Sequence, residues 1–168
     1  MNTPQRAGSP TIVQARSAEQ LRAFESLCRE YAASLPFSLC FQGFEDEMRT
    51  LPGKYAPPSG RILLAMVGDQ YAGCVALREI PTLDGDAGPV CEMKRMFVRP
   101  EFRGLGLGRL LAVRLLEEAK AAGYGTMKLD SEDTFVAATA LYRTLGFVET
   151  ARYNDDPHPH TIWMAKRL

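Results

Sequence analysis

The sequence has no excess of charge of either sign, because 20 lysines and arginines balance 20 aspartates and glutamates. A chain without a basic surplus lacks the field that draws proteins to nucleic acids and anionic membranes, so neither is an expected partner. It also lacks any apolar run of membrane-spanning length, and its first residues do not follow the order of a signal peptide. These absences predict a soluble, cytoplasmic protein.

Cysteine and histidine are also scarce, with four cysteines and two histidines in 168 residues. No two cysteines have the C-x-x-C spacing that is typical of zinc sites, and His158 and His160 have no third ligand beside them. The sequence therefore predicts no metal site. The cysteines are expected to be reduced and buried: Cys28, Cys40, Cys74 and Cys91.

The length and the hydrophobic periodicity predict the organisation of the chain. Residues 1–10 are polar and contain proline, which predicts a disordered leader, and residues 11–168 have the length of a single domain. Period-two patterns and turn residues predict strands at 12–16, 61–67, 71–80, 90–98, 126–130, 147–150 and 160–166. Apolar stripes and capping signals predict helices at 17–36, 41–48, 106–122 and 134–145.

This order of elements predicts the fold class. The succession β-α-α-β-β-β-α-β-α-β-β indicates a mixed α/β fold, in which helices cover both faces of one sheet. A hairpin turn at 68–70 predicts that the second and third strands are antiparallel. We therefore expect a twisted, mostly antiparallel sheet of about seven strands.

A glycine-rich run, Arg103-Gly-Leu-Gly-Leu-Gly108, lies between a predicted strand and a predicted long helix. Glycines at a helix N-terminus leave backbone N–H groups free to bind an anion, which indicates a phosphate or pyrophosphate ligand. The dinucleotide fingerprint G-x-G-x-x-G fails, since position 109 is arginine. The P-loop also fails, since no Lys-Ser/Thr pair follows Gly108.

The spacing R-x-x-G-x-G, at Arg103, Gly106 and Gly108, resembles the acyl-CoA loop of the GNAT family of N-acetyltransferases. The resemblance covers roughly residues 11–168 and is most specific from 91 to 147, where the strand, the loop, the long helix, the next strand and the segment Ala140-Leu-Tyr-Arg-Thr-Leu-Gly-Phe147 follow in family order. It implies an enzyme of this fold, with acetyl-CoA as the acyl donor and no metal.

The resemblance also implies a set of cofactor-binding residues. The amides of 103–108 would hold the pyrophosphate, and the strand before them would pair with the pantetheine arm. Many family members have asparagine where this chain has Phe135, so that contact is expected either to be absent or to move to Ser131, Asp133 or Thr134. The expected binding residues are Met96, Phe97, Val98, Arg103, Gly104, Leu105, Gly106, Leu107, Gly108, Arg109 and Thr134.

Glu92 is the candidate general base, because the resemblance places a catalytic glutamate at this distance before the loop. The alternative is a structural ion pair with Lys94 or Arg95 on the same strand. Simple alternation along the strand places Glu92 and Arg95 on opposite faces.

Tyr142 is the second catalytic candidate, because a tyrosine here often contacts the CoA sulfur or protonates the thiolate in the resembling family. The ordinary pKa of a phenol lies above that of a thiol, so the hydroxyl is available as a donor. The alternative is an aromatic side chain that only packs on the apolar face of its helix.

The resulting functional hypothesis is an acetyl-CoA-dependent N-acetyltransferase. It would acetylate a primary amine of a small molecule or peptide by direct attack, without a covalent intermediate on the nearest thiol, Cys91. The acceptor is expected between segments 37–55 and 153–160, and homodimers are common in the family. The alternative is a non-catalytic sensor of acyl-CoA, which would need neither Glu92 nor Tyr142.

Overall fold

A computed structural model describes residues 8–40 and 43–168. Most of the predicted leader and the start of the predicted second helix lie outside these ranges. The described residues form seven strands: β1 (Thr11–Gln14), β2 (Arg61–Val67), β3 (Gln70–Ile80), β4 (Val90–Val98), β5 (Thr126–Glu132), β6 (Val148–Glu149) and β7 (Thr161–Arg167). They also form four α-helices: α1 (Ala18–Ser34), α2 (Phe44–Arg49), α3 (Leu107–Ala121) and α4 (Val136–Thr144).

The strands form a single sheet in the order β1-β2-β3-β4-β5-β7-β6. All neighbouring pairs are antiparallel except β4 and β5, which are parallel. The predicted fold class and the predicted mostly antiparallel sheet are therefore confirmed.

Two apolar cores lie on opposite faces of the sheet. On one face, α3 contributes Leu111 and Leu115, and α4 contributes Tyr142. On the other face, α1 contributes Phe24 and Leu27, together with residues of α2. The helices therefore cover both faces, as predicted. Cys28, Cys74 and Cys91 are buried, but Cys40 is exposed because it lies in the connection that follows α1, so the prediction was wrong there.

Local capping signals determine where α1 begins and where α4 ends. Ser17 Oγ accepts from the Gln20 amide at 3.2 Å, and Gln20 Oε1 accepts from the Ser17 amide at 3.0 Å, which forms the predicted capping box of α1. At the end of α4, Gly146 has φ of 90°, and the Phe147 amide donates to the Tyr142 carbonyl at 3.0 Å. This is the predicted Schellman ending.

A β-bulge interrupts β4 at Arg95, which has a left-handed φ of 60°. The register with β3 shifts between Cys74 and Ala76, so alternation along β4 is broken. Met93 packs in the core beside α3, whereas Phe97 packs in the core beside α1.

The bulge corrects one sequence prediction. The Arg95 side chain reaches Glu47 of α2, so it lies on the α1 and α2 face of the sheet. Glu92 precedes Met93 and therefore points to that same face. The expectation that Glu92 and Arg95 lie on opposite faces was wrong, because the bulge at Arg95 breaks the alternation along the strand.

Strands β4 and β5 diverge after a short parallel pairing. Their register ends at Glu92 opposite Lys128, whereas β5 remains paired with β7 as far as Glu132. Residues 93–98 of β4 therefore keep one strand neighbour, β3, and face a gap on their other side. Of the four described helices, none combines the length and apolar character that a membrane crossing needs.

Candidate active site

The gap between β4 and β5 opens into a cavity of about 750 Å³. Its walls are residues 93–98 of β4, 129–132 of β5, the first turns of α4 with Leu141 and Tyr142, and the end of α1 with the segment that follows it. Arg103 and Gly108 close one end, and Asp156, from the loop between β6 and β7, lies in the wall. The cavity therefore joins the glycine-rich loop to the two segments predicted to bind an acceptor.

The glycine-rich loop leaves backbone donors free next to this cavity. Gly104 and Gly106 have φ of 83° and 73°, which side chains other than glycine rarely adopt. Gly106 is the N-cap of α3 and no side chain caps the helix. The Leu110 amide is the first to bond within the helix, to the Gly106 carbonyl, so the amides of 107–109 have no acceptor among the described residues. A helix start of this kind can bind an anion, and binding by this loop stays a prediction.

Of the eleven expected cofactor-binding residues, all but Thr134 lie on β4, in the glycine-rich loop or at the start of α3. Met96, Phe97, Val98, Arg103 and Gly108 line the cavity. The rest of the loop lies next to it but outside its lining: Gly104, Leu105, Gly106, Leu107 and Arg109.

Two of these residues have other surroundings. Arg109 donates to Thr144 Oγ1 at 3.3 Å, which holds its side chain against the end of α4. Thr134 is exposed in the turn between β5 and α4, and its neighbour Phe135 lines the cavity. Their binding roles stay predictions.

Tyr142 lies in the cavity wall and also packs in the core. Its ring stacks edge-to-face on Phe147, with centroids 6.0 Å apart. Burial raises the pKa of Tyr142 well above its usual value, so the hydroxyl stays protonated at neutral pH. The position of Tyr142 agrees with packing on the apolar face of its helix and also with a role as a donor at the cavity, so its catalytic role stays a prediction.

Glu92 is buried and engaged through both carboxylate oxygens. Oε1 accepts from Arg78 at 3.0 and 3.1 Å, and Oε2 accepts from the Tyr153 hydroxyl at 2.7 Å. Its side chain is 2% exposed and is absent from the cavity lining. The ion-pair partner is therefore Arg78, with Lys94 farther away at 3.8 Å, and Arg95 pairs with Glu47 instead.

Lys94 and Asp130 face each other across the gap, and both line the cavity. Lys94 Nζ lies 3.9 Å from Asp130 Oδ1 and 3.8 Å from Glu92 Oε1. Asp130 Oδ2 accepts from Asn154 Nδ2 at 2.6 Å, which attaches the β6–β7 loop to β5. Sequence reasoning missed Asp130. The sequence shows that Asp130 alternates with Lys128 along a strand, but it does not show where β4 and β5 separate, and this separation is what exposes Asp130 to the cavity.

The two predicted acceptor segments meet over the cavity. The rings of Phe37 and His158 lie 4.0 Å apart, which joins the segment after α1 to the β6–β7 loop. Asp156 is buried there and accepts from the His158 amide at 2.9 Å, whereas Asp155 is exposed. Among the described residues, no three His, Cys, Asp or Glu side chains form a group that could hold a metal.

Cys91 is fully buried, and its thiol donates to the Thr126 carbonyl with a separation of 3.7 Å. Burial raises the pKa of this thiol to about 12, so it carries no thiolate at neutral pH. It also lies outside the cavity lining. Cys91 is thus neither placed nor ionised for nucleophilic attack.

Comparison with known proteins gives consistent matches. The model of the acetyltransferase (GNAT) family matches residues 23–147. An uncharacterised N-acetyltransferase of Schizosaccharomyces pombe is 38% identical over 150 residues, which are 87% of this chain and 87% of that protein.

Solved structures share the fold. An acetyltransferase from Streptococcus agalactiae superposes with a TM-score of 0.73 at 21% identity, and the match covers 95% of this chain and 99% of that one. An acetyltransferase from Salmonella typhimurium, solved with its cofactor acetyl-CoA, has a TM-score of 0.66 at 20% identity over 95% and 94% of the two chains.

Proposed function

The chain belongs to the GNAT family of acetyltransferases, and we propose that it moves the acetyl group of acetyl-CoA to a primary amine of a small molecule or peptide by direct attack. The observation that carries this proposal is the continuous cavity, which runs from the glycine-rich loop past Tyr142 to Asp130. One cavity can thus hold an acyl donor and an amine side by side.

The donor would bind along β4. The free amides at the start of α3 would hold its pyrophosphate, and the unpaired edge of β4 at Met96 and Val98 would hydrogen-bond its amide-containing arm as an added strand would. The thioester supplies the activated acetyl group. The sulfur end would then lie in the gap between β4 and β5, near Tyr142.

The amine must lose a proton before it can attack. We propose Asp130 as the acceptor of that proton, because it is a carboxylate on the cavity wall that Asn154 holds in place. The sequence predicts Glu92 as the base instead, and this role stays a prediction. In this geometry a proton would reach it through the Tyr153 hydroxyl, which donates to it directly.

Tyr142 would stabilise the leaving sulfur. Its hydroxyl donates a hydrogen bond to the sulfur as the C–S bond breaks. It passes its proton to the thiolate as it takes the surplus proton from the newly formed amide nitrogen, so the protons balance and no buried tyrosinate forms. Attack by the amine on the thioester carbonyl needs no acyl-enzyme, which agrees with the burial of Cys91.

A panel of primary amines tests the function. Each amine is mixed with acetyl-CoA and the protein, released thiol is measured, and acetyl-CoA binding is measured by calorimetry. An enzyme releases thiol only when a suitable amine is present, and Tyr142→Phe reduces that rate while binding persists. If acetyl-CoA binds but no amine is acetylated, the non-catalytic sensor replaces this proposal.

A further inference from the structure

The Lys94 side chain lies mostly buried in the cavity wall, and its ammonium makes no hydrogen bond to any described residue. Its side chain is only 6% exposed, and its nearest carboxylates, on Glu92 and Asp130, lie 3.8 and 3.9 Å away. These separations exceed the ordinary length of a charge-assisted hydrogen bond. An ammonium at a cavity wall has three donors, so its position favours a ligand in the cavity that supplies an acceptor.

The charges around Lys94 indicate which ligand fits. Arg78, Glu92, Lys94 and Asp130 together carry no net charge. A simple cationic amine or a simple anion would each leave a net charge in this buried cluster, which is costly. A zwitterion would not, and Lys94 and Asp130 offer it a cation and an anion 3.9 Å apart on one wall.

The polar residues in the rest of that end of the cavity are Ser34 and the buried Asp156, whose carboxylate accepts from the His158 amide. The other side chains that line it are apolar: Tyr31, Leu35, Phe37 and Leu39. These side chains come from α1 and the segment after it, and Phe37 is held by its ring contact with His158. This surface suits an aliphatic or aromatic substituent.

We propose that the acceptor is a free α-amino acid with an apolar side chain, whose carboxylate binds Lys94 and whose amine lies beside Asp130. This inference rests on the proposed function for its kinetic consequences. In an α-amino acid one carbon separates the ammonium from the carboxylate, so both charges can meet the Lys94 and Asp130 charges at the same time. The apolar substituent then packs against Phe37 and Leu39.

The experiment compares leucine with leucinamide and isoamylamine, which keep the amine and the apolar body but lack the carboxylate. The kcat/KM ratio of leucine to leucinamide is measured for the wild type, Lys94→Met and Lys94→Arg. Lys128→Met is the matched control, because Lys128 is a buried lysine of the same sheet that pairs with Asp86 and does not line the cavity. A ratio of two substrates does not depend on how much of a variant is folded.

We expect Lys94→Met to lower the ratio by about 10- to 100-fold, the value of one charge-assisted hydrogen bond. Lys94→Arg should recover part of the loss, and Lys128→Met should leave the ratio unchanged. Equal kcat/KM values for leucine and leucinamide in the wild type, or a ratio that Lys94→Met does not change, would overturn the proposal.

Binding without turnover separates this inference from the proposed function. Leucine should raise the melting temperature of the wild type more than leucinamide does, and Lys94→Met should abolish the difference. If no amine is acetylated but this difference is present, the proposed function fails while the amino-acid site stands. If thiol is released with amines but leucine has no advantage in rate or in melting temperature, the amino-acid site fails alone.

Discussion

The Tyr153 hydroxyl donates a 2.7 Å hydrogen bond to Glu92, and this contact fixes the loop before β7 onto the buried part of β4. The same loop reaches Asp130 through Asn154, with a separation of 2.6 Å. Two carboxylates on neighbouring strands therefore hold one loop that forms part of the cavity. Glu92 is enclosed by these contacts, whereas Asp130 reaches the cavity wall.

We expect substitutions of Asp130 and Glu92 to have different effects on kcat. Asp130→Asn should lower kcat by about 100-fold, because a positioned general base contributes at least that much. Glu92→Gln keeps the shape of the side chain, and we expect its loss of kcat to be at least tenfold smaller. Steady-state kinetics with one good amine measure both. A larger loss for Glu92→Gln would instead make Glu92 the base, with Tyr153 as its relay.

Tyr142→Phe separates chemistry from packing. The phenylalanine keeps the edge-to-face contact with Phe147 and removes only the hydroxyl. We expect kcat to fall by about 100-fold, with little change in acetyl-CoA affinity or in the free energy of unfolding. An unchanged kcat would show that Tyr142 only packs.

Gly108→Ala tests where the pyrophosphate binds. A Cβ at Gly108 would lie 3.6 Å from Leu141 Cδ2, which is ordinary contact, and alanine favours a helix. The protein itself should therefore tolerate the change. We expect the Kd for acetyl-CoA to rise at least about tenfold by calorimetry, since a side chain would obstruct the amides that hold the phosphates. Leu110→Ala, at an exposed position of the same helix, should leave the Kd unchanged.

Glu47→Gln tests the buried ion pair that fixes the bulge. Glu47 is partly desolvated, which raises its pKa, but the hydrogen bonds and charge of Arg95 outweigh burial and lower the pKa overall. A lowered pKa contributes stability above the ordinary glutamate value, and this stability is lost as pH falls through the lowered value.

Removing the Glu47 charge opposite a buried guanidinium should therefore reduce the free energy of unfolding at neutral pH by about 3–5 kcal/mol. Below the ordinary glutamate pKa, the difference in free energy of unfolding between variant and wild type should become smaller. Urea unfolding at several pH values measures both effects. If this difference in free energy of unfolding stays constant down to acid pH, the ion pair of Glu47 with Arg95 does not stabilise the protein as proposed.

Cys91 should remain unmodified after incubation with acetyl-CoA. Burial and the raised pKa keep its thiol neutral and out of reach. Intact-mass and peptide mass spectrometry of the quenched reaction check this, and acetate on Cys91 would contradict direct attack.

Local signals in the sequence were enough to predict much of the fold. The capping box at Ser17 and the αL glycine at Gly146 depend only on residues close by in the sequence. The start of α1 and the end of α4 can therefore be predicted from the sequence alone. The bounds of β2 also follow from an apolar run that ends at the turn residues Gly68 and Asp69, and the end of β4 follows from the nearby Pro100.

Features that depend on the partner strand could not be predicted. The bulge at Arg95 arises in the register with β3, and β5 extends to Glu132 because its backbone stays paired with β7. Lys94 and Asp130 face each other because of the bulge, the pairing of β5 with β7 and the point where β4 and β5 separate. None of these three features can be predicted from one segment alone. The donor end of the cavity carries a local motif, whereas the acceptor end is built from tertiary contacts.

Amine-dependent release of CoA thiol from acetyl-CoA, measured beside the calorimetric Kd for acetyl-CoA, tests the central claim most directly. The account predicts that the wild type releases thiol only when a suitable amine is present. It also predicts that Asp130→Asn binds acetyl-CoA with nearly the wild-type Kd while its rate falls by about 100-fold. Tight binding of acetyl-CoA by the wild type with no thiol released for any amine of the panel would contradict it.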